Sequence, residues 1–244
     1  MPFDIKLGDC FDLMGDIPDK SIDLIICDLP YGTTRNKWDT PLNLDALWQH
    51  YRRVIKPNGA VLLFAQMPFT ITLGASNIKN LRYELIWHKT RPTGFLNANK
   101  MPLKSHEQIL VFYERLPTFN QQKRYGFENY DKANCTKSTN CDLTYRVGTR
   151  SVVNDGSRCP IDVLEFSGEW GLHPTQKPVP LLEWLIKTYS NEGETILDNC
   201  MGSGSTGVAA INLRRRFIGM ELDAKYFDIA RARLEKAAYN VYST

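Results

Sequence analysis

The chain has 244 residues, 43% of them hydrophobic and 23% charged, with a formal net charge of +3. That balance is typical of a soluble globular chain, and the length fits one ordinary α/β domain with a sizeable core and a small insertion. No apolar run approaches membrane-spanning length, the N-terminus lacks a basic-then-apolar signal pattern, and +3 is too small a charge to identify nucleic acid as a partner.

Taken in order, residues 3–7 read as a short strand ending in Gly8-Asp9, and residues 12–17 as a helix closed by Pro18. Residues 22–27 are aliphatic and β-branched, the pattern of a buried parallel strand, and they exit into Asp28-Leu29-Pro30-Tyr31. Residues 32–41, with Arg35, Lys37 and Trp38, read as an exposed loop. Leu44, Leu47, Trp48, Tyr51, Val54 and Ile55 recur at helical spacing until Lys56-Pro57-Asn58-Gly59 stops the helix. Residues 60–65 are another buried strand, and Pro68 opens a helix to about residue 79.

Residues 81–87 and 107–113 look like two further strands, joined by a loop with His88, Lys89, Arg91, Lys100 and Lys104. Residues 115–170 lack helical periodicity and mix polar, aromatic and basic side chains. Tyr125, Phe127, Tyr130, Tyr145 and Phe166 give this stretch something to pack, so it reads as an irregular insertion rather than disorder. Regular structure returns after His173-Pro174-Thr175-Gln176-Lys177-Pro178, with a helix carrying Leu181, Leu182, Leu185 and Ile186. A strand over 195–197 ends in Asp198, and a glycine loop over 202–207 opens a helix to about residue 213. A strand over 217–220 ends in Glu221, and Asp223 caps a last helix to about residue 238.

The six cysteines are irregularly spaced, with Cys27 and Cys200 in apolar stretches read as strands, and suggest reduced, cytosolic thiols. Cys135, Cys141 and Cys159 with His173 lack the paired short spacing of a zinc site. No internal repeat is present.

Two stretches carry chemistry. Asp28 can accept a hydrogen bond from an amino group, a carbonyl of the stiff Leu29-Pro30 turn can accept a second, and Tyr31 can stack on a flat heteroaromatic ring. Together they grip a planar base by its exocyclic amine and favour the pyramidal nitrogen that acts as a nucleophile. Gly202, Gly204 and Gly207 have the G-x-G-x-x-G spacing between a strand and a helix, with Glu221 at the next strand end placed for ribose hydroxyls. Dinucleotides and S-adenosylmethionine both use that geometry.

The motifs together carry a family likeness. Asp28-Leu29-Pro30-Tyr31 resembles the D-P-P-Y motif of amino-group DNA methyltransferases. Residues 198–205 resemble their D-P-F-x-G-S-G-T cofactor motif, and residues 173–178 their H-P-T-Q-K-P segment. The order, with the catalytic motif first, is similar to the β-group of these enzymes. The resemblance implies a Rossmann-like α/β sheet with helices on both faces and permuted motifs. Residues 1–114 would be its catalytic half, 115–170 a target-recognition insertion and 171–244 its cofactor-binding half.

Roles follow from the same resemblance. Asp28, the Leu29/Pro30 backbone and Tyr31 would hold the base. Asp198, Gly202, Ser203, Gly204 and Ser205 would lie against the cofactor, with Thr175 and Lys177 near its carboxylate, Glu221 on the ribose and Asp9 on the adenine. The reaction implied is direct methyl transfer from S-adenosylmethionine to N6 of a flipped-out adenine in double-stranded DNA, without a covalent enzyme intermediate or a metal. The compact length also resembles that of phage methyltransferases, with or without a restriction partner, and some relatives are homodimers. Two departures stand out: Leu29 replaces the first proline, and Asn199-Cys200 replaces Pro-Phe.

Residues 115–158 hold eight Lys/Arg and four Asp/Glu, a local excess of +4, with Asn and Gln suited to adenine edges. Arg35, Lys37 and Lys89 are the candidates for DNA backbone contacts. Cytosine-N4 methylation stays open, although Asp28 favours adenine. RNA is a less favoured substrate. A cytosine-C5 mechanism would need a Pro-Cys nucleophile, whereas Cys159 precedes Pro160. A nicotinamide-dependent oxidoreductase would explain the glycine loop but leave Asp28–Tyr31 idle, and a catalytically silent DNA-binding protein is the non-enzymatic alternative.

Overall fold

The computed structural model describes residues 2–32, 41–127, 156–168 and 176–243. The strands are β1 (Phe3–Leu7), β2 (Ile22–Cys27), β3 (Ile55–Ala65), β4 (Leu81–Thr93), β5 (Lys104–Phe112), β6 (Val163–Phe166), β7 (Thr195–Asp198) and β8 (Arg216–Glu221). They form one sheet in the order β1-β8-β7-β2-β3-β5-β4-β6. β5 runs antiparallel to both its neighbours, and every other pairing is parallel.

Alternation along the central strands builds two cores. Leu24, Ile26, Leu62, Phe64 and Ile196 face one side, where they meet α4 (Val179–Tyr189), α5 (Ser205–Asn212) and α6 (Ala224–Tyr242). Ile25, Cys27, Val61, Leu63 and Leu197 face the other, against α1 (Cys10–Met14), α2 (Leu44–Val54) and α3 (Phe69–Ser76). The sheet is thus an α/β layer covered on both faces, as the family resemblance implied. Among the described residues, no helix is long and apolar enough to cross a membrane.

The sheet reverses its direction of growth between β2 and β7. The chain leaves β2 for β3 on one side, and leaves β7 for β8 on the other. Strand ends diverge there and leave a crevice beyond their carboxyl ends. The β2–β7 register, Leu24↔Ile196 and Ile25↔Leu197, sets Asp28 and Asp198 at the lip of that crevice.

Local chemistry explains several boundaries. Asp9 accepts from the Phe11 backbone N–H at 2.8 Å, so α1 starts earlier than the predicted residue 12. Asn43 caps α2 through the Ala46 N–H at 3.1 Å, and Asp223 caps α6 through the Lys225 and Tyr226 N–H groups. After α2 the chain enters β3 directly, where the β2–β3 register shifts. Gly59 permits that close pass: a Cβ there would lie 2.8 Å from the Asp23 carbonyl oxygen.

Contacts divide the chain into Met1–Asn120 with Asp162–Thr244, and a small unit Gln121–Ile161. The sheet-forming unit reclaims residues assigned to the insertion, because β6 pairs with β4 from Ile86↔Val163 to Lys89↔Phe166. In the small unit, Arg124 and Arg158 exchange backbone hydrogen bonds at 2.9 and 2.8 Å. Both guanidinium groups stand 5.2 Å from the Phe127 ring centroid.

Tyr51 ties the helical layer to the exit of β7. Its buried hydroxyl donates to Asn199 Oδ1 at 2.6 Å. Tyr51→Phe would leave that carbonyl oxygen without its donor, at an expected cost of about 1–3 kcal/mol. Urea denaturation should show a lower midpoint with an unchanged slope; an unchanged midpoint would mean the bond adds nothing.

Candidate active site

A cavity of about 610 Å³ opens at the β2/β7 crevice. That lies within the roughly 300–1,000 Å³ of small-ligand sites. Asp28, Leu29, Pro30 and Tyr31 line it from the β2 exit. Asp198, Gly202, Ser203 and Ser205 line it from the β7 exit, Glu221 from the end of β8 and Asp9 from the turn after β1. Four strand ends therefore deliver these residues to one cavity.

Asp28 is held by two groups of its own chain. Tyr31 Oη donates to Oδ1 at 2.5 Å, and Lys177 Nζ donates to Oδ2. Burial, with Asp28 and Glu107 nearby, pushes the Tyr31 phenol well above its ordinary range, so it remains a donor. The Tyr31 ring lies 5.0 Å from that of Phe69 at 31°. Leu29, the odd residue of the motif, is 3% exposed and packs in the same core cluster as Leu197 and Met220. The side chain that replaces proline therefore earns core burial, while the turn still lines the cavity.

Lys177 and Lys89 both line the cavity and are both held by acids. Lys177 is paired with the acids Asp28 and Glu107. Burial pushes its pKa down, but Asp28 and Glu107 outweigh that and raise it, so it stays charged. Lys89, expected on the DNA backbone, has a side chain only 12% exposed and pairs with Glu107 at 2.6 Å. Its ammonium also stands 4.7 Å from the Trp87 ring centroid. Arg35, Lys37 and Thr175 lie outside the described residues, as do Cys135, Cys141 and His173.

The glycine loop divides its work. Gly202 and Ser203 line the cavity, but Gly204 does not. Gly204 has φ +78° and faces α6, where a Cβ would meet Leu234 at 2.7 Å. Its Cα side is thus committed to packing against α6. Arg233 of α6 pins the loop by donating to the Ser203 carbonyl at 2.6 Å. Glu221 accepts from the Gly202 N–H at 2.8 Å and from the Asp223 N–H at 2.9 Å, which orients its carboxylate at the cavity edge.

These residues fit S-adenosylmethionine. The acids Glu221 and Asp9 suit hydroxyl and amine groups, while Ser203, Ser205 and the start of α5 suit a carboxylate. Phe11, Leu222 and Tyr226, which the sequence reading missed, add flat and apolar wall. Their only signal was position, one or a few residues beyond an acid at a strand end. Cys200 lies in the turn after β7 rather than in a strand, and Asn199 beside it is buried against Tyr51.

A family model described as "DNA methylase" matches residues 22–232. The chain is 29% identical to "Type II methyltransferase M2.DpnII" of Streptococcus pneumoniae over 93% of this chain and 88% of that protein. It is also 29% identical to "DNA adenine methyltransferase YhdJ" of Escherichia coli K12, over 95% of this chain and 82% of that one. The solved complex of M1.HpyAVI with SAM has a similar fold, with TM-score 0.65 and 24% identity, covering 95% of this chain and 98% of that one.

Asp198 offers a test of the electrostatics. Burial pushes its carboxyl up to about 7 from an ordinary 3.8, against the pull of Thr206 and the Cys200 N–H. A raised folded-state pKa adds stability that is complete below the unfolded value and is lost as pH rises toward the folded one. From about pH 4 to about pH 7, wild type should therefore lose stability relative to Asp198→Asn. Urea denaturation of both proteins across that range checks this; a difference that does not vary with pH would contradict it.

Proposed function

Because the chain belongs to the DNA methylase family, whose model spans residues 22–232, we propose that it methylates the N6 amine of adenine in DNA, using S-adenosylmethionine. The observation that carries this reading is Asp28 and Tyr31, bonded to each other at 2.5 Å, in one cavity with Glu221 and the glycine loop. The relative named a DNA adenine methyltransferase supports adenine over cytosine.

The cofactor supplies an electrophilic methyl group on a sulfonium. Glu221 holds the ribose and Asp9 the adenine ring, while Ser203 and Ser205 receive the methionine part. At the other end, Asp28 and a backbone carbonyl of the Leu29-Pro30 turn accept from the target amine. Those two bonds would orient the nitrogen lone pair for attack, and the carboxylate would offset positive charge as it grows on nitrogen. The nitrogen would gain the carbon bond that the sulfonium loses, leaving S-adenosylhomocysteine as the neutral thioether, and the proton it sheds would pass to solvent. A stacked base cannot bring its amine into a cavity of this kind, so the base is flipped out to reach it, with Tyr31 against its face.

The unit Gln121–Ile161 serves as the target reader. Its Arg124 and Arg158 suit phosphate and guanine contacts. The protein acts where bacterial DNA lies, in the cytoplasm.

Nucleoside mass spectrometry of DNA incubated with the protein and S-adenosylmethionine tests the reading. Wild type should yield N6-methyladenine, and Asp28→Ala should lower the yield at least about 100-fold while cofactor binding persists. N4-methylcytosine in its place would overturn the choice of base. Absence of any methylated base, despite cofactor binding, would contradict the enzymatic reading.

A further inference from the structure

Glu107 is a buried acid to which the mechanism above gives no task. It lies on β5 and lines the active-site cavity, with its side chain 12% exposed. Lys89 donates to Glu107 Oε1 at 2.6 Å. Among the described residues Glu107 Oε2 has no hydrogen-bond partner, and it is ion-paired with Lys177 Nζ at 3.4 Å. That same ammonium donates to Asp28 Oδ2. One buried cation therefore stands between two carboxylates, hydrogen-bonded to Asp28 and in a longer ion pair with Glu107.

The bonded position conflicts with catalysis. Tyr31 and Lys177 each hold one oxygen of Asp28. A full positive charge on Oδ2 competes with the amine for the carboxylate. It also opposes, at short range, the positive charge that must grow on the amine nitrogen. Simple expulsion of Lys177 would strand a cation 9% exposed in the protein interior. The open oxygen of Glu107 avoids that cost. Burial pushes the Glu107 carboxyl up, but Lys177 and Lys89 outweigh it and hold it below the ordinary range, so the second seat is ionised.

Resting on the methyltransferase reading, we propose that Lys177 has two seats, and that docking of the target amine moves its ammonium from Asp28 to Glu107. Glu107 is then a positioning residue, which keeps a competing charge off the catalytic carboxylate. Lys89 fixes the receiving acid, itself held over the Trp87 ring at 4.7 Å. The exchange leaves Lys177 paired with an acid in either seat, so it never becomes an unpaired buried cation. It also leaves Asp28 Oδ2 free to receive the amine.

The test compares single-turnover methyl transfer to DNA by wild type, Glu107→Gln and the double variant Glu107→Gln/Lys177→Met, each at saturating S-adenosylmethionine. Glu107→Gln removes the second seat and should slow transfer roughly tenfold or more. Removing the competing ammonium as well should restore part of that loss. A merely structural Glu107 predicts the opposite, since a second buried change adds damage. A double variant no faster than Glu107→Gln, or a Glu107→Gln variant as fast as wild type, would overturn the exchange.

A readout independent of turnover and of variant folding is a crystal structure of the wild-type protein with S-adenosylhomocysteine and DNA carrying its target base. Lys177 Nζ should lie on Glu107 Oε2 with the amine on Asp28. Lys177 still bonded to Asp28 beside a docked amine would overturn the proposal. A wild-type protein that transfers no methyl group would overturn the methyltransferase reading and this inference with it, whereas normal wild-type transfer with no slowing in Glu107→Gln rejects the exchange alone.

Discussion

The parallel pairing of β2 with β7 is the contact on which the site depends. It is short, Leu24↔Ile196 and Ile25↔Leu197, yet it joins segments about 170 residues apart in the chain. It also marks where the sheet changes its direction of growth, so a crevice opens at that point rather than elsewhere along the strand ends. Every group in the proposed chemistry is placed by its distance from this pairing. Asp28 follows β2 by one residue, Asp198 ends β7, and Glu221 ends β8 one strand further out. The two buried cores matter because they keep these strands in register. Leu24 and Ile25 face opposite cores, so a slip of one residue would exchange their sides and move Asp28 with them.

Polar groups in the interior then set the finer geometry. Asp28, Lys177, Glu107 and Lys89 form a chain of alternating charge along one cavity wall, with side chains between 9% and 23% exposed. Such a chain is tolerable only because each charge has an opposite neighbour. It makes the wall both neutral and responsive, since a ligand that engages one member changes the balance for the rest. On the far side, the Glu221 carboxylate is aimed by two backbone N–H groups, and the glycine loop is clamped by Arg233. One end of the cavity is thus held by backbone and the other by exchangeable ion pairs.

Much of this was legible in the sequence, for identifiable reasons. The strand runs before Asp28, Asp198 and Glu221 are short, apolar and sharply bounded, so their exits could be located to the residue. Other features depend on contacts that spacing does not encode. The partner of Lys177 is 149 residues away, so a lysine in a motif could not be read as an ion-pair partner of Asp28. The glycine spacing is equally silent about which side of the loop meets the ligand, and Gly204 turned out to face Leu234 and Ala230. β6 escaped because it is four residues long and half of it is exposed; its identity comes from pairing with β4. Phe11 and Tyr226 carry no motif, and only the folded strand ends bring them to the cavity.

The central claim is that a single crevice holds the methyl donor on the β7–β8 side and the acceptor amine on the β2 side. The most direct measurement is a crystal structure of the protein with S-adenosylmethionine bound. The account predicts the adenosine between Asp9 and Glu221, the methionine part along Ser203 and Ser205, and the sulfonium methyl pointing at the space beside Asp28 and Tyr31. An adenosine lodged against Asp28, or a cofactor bound outside this cavity, would contradict it.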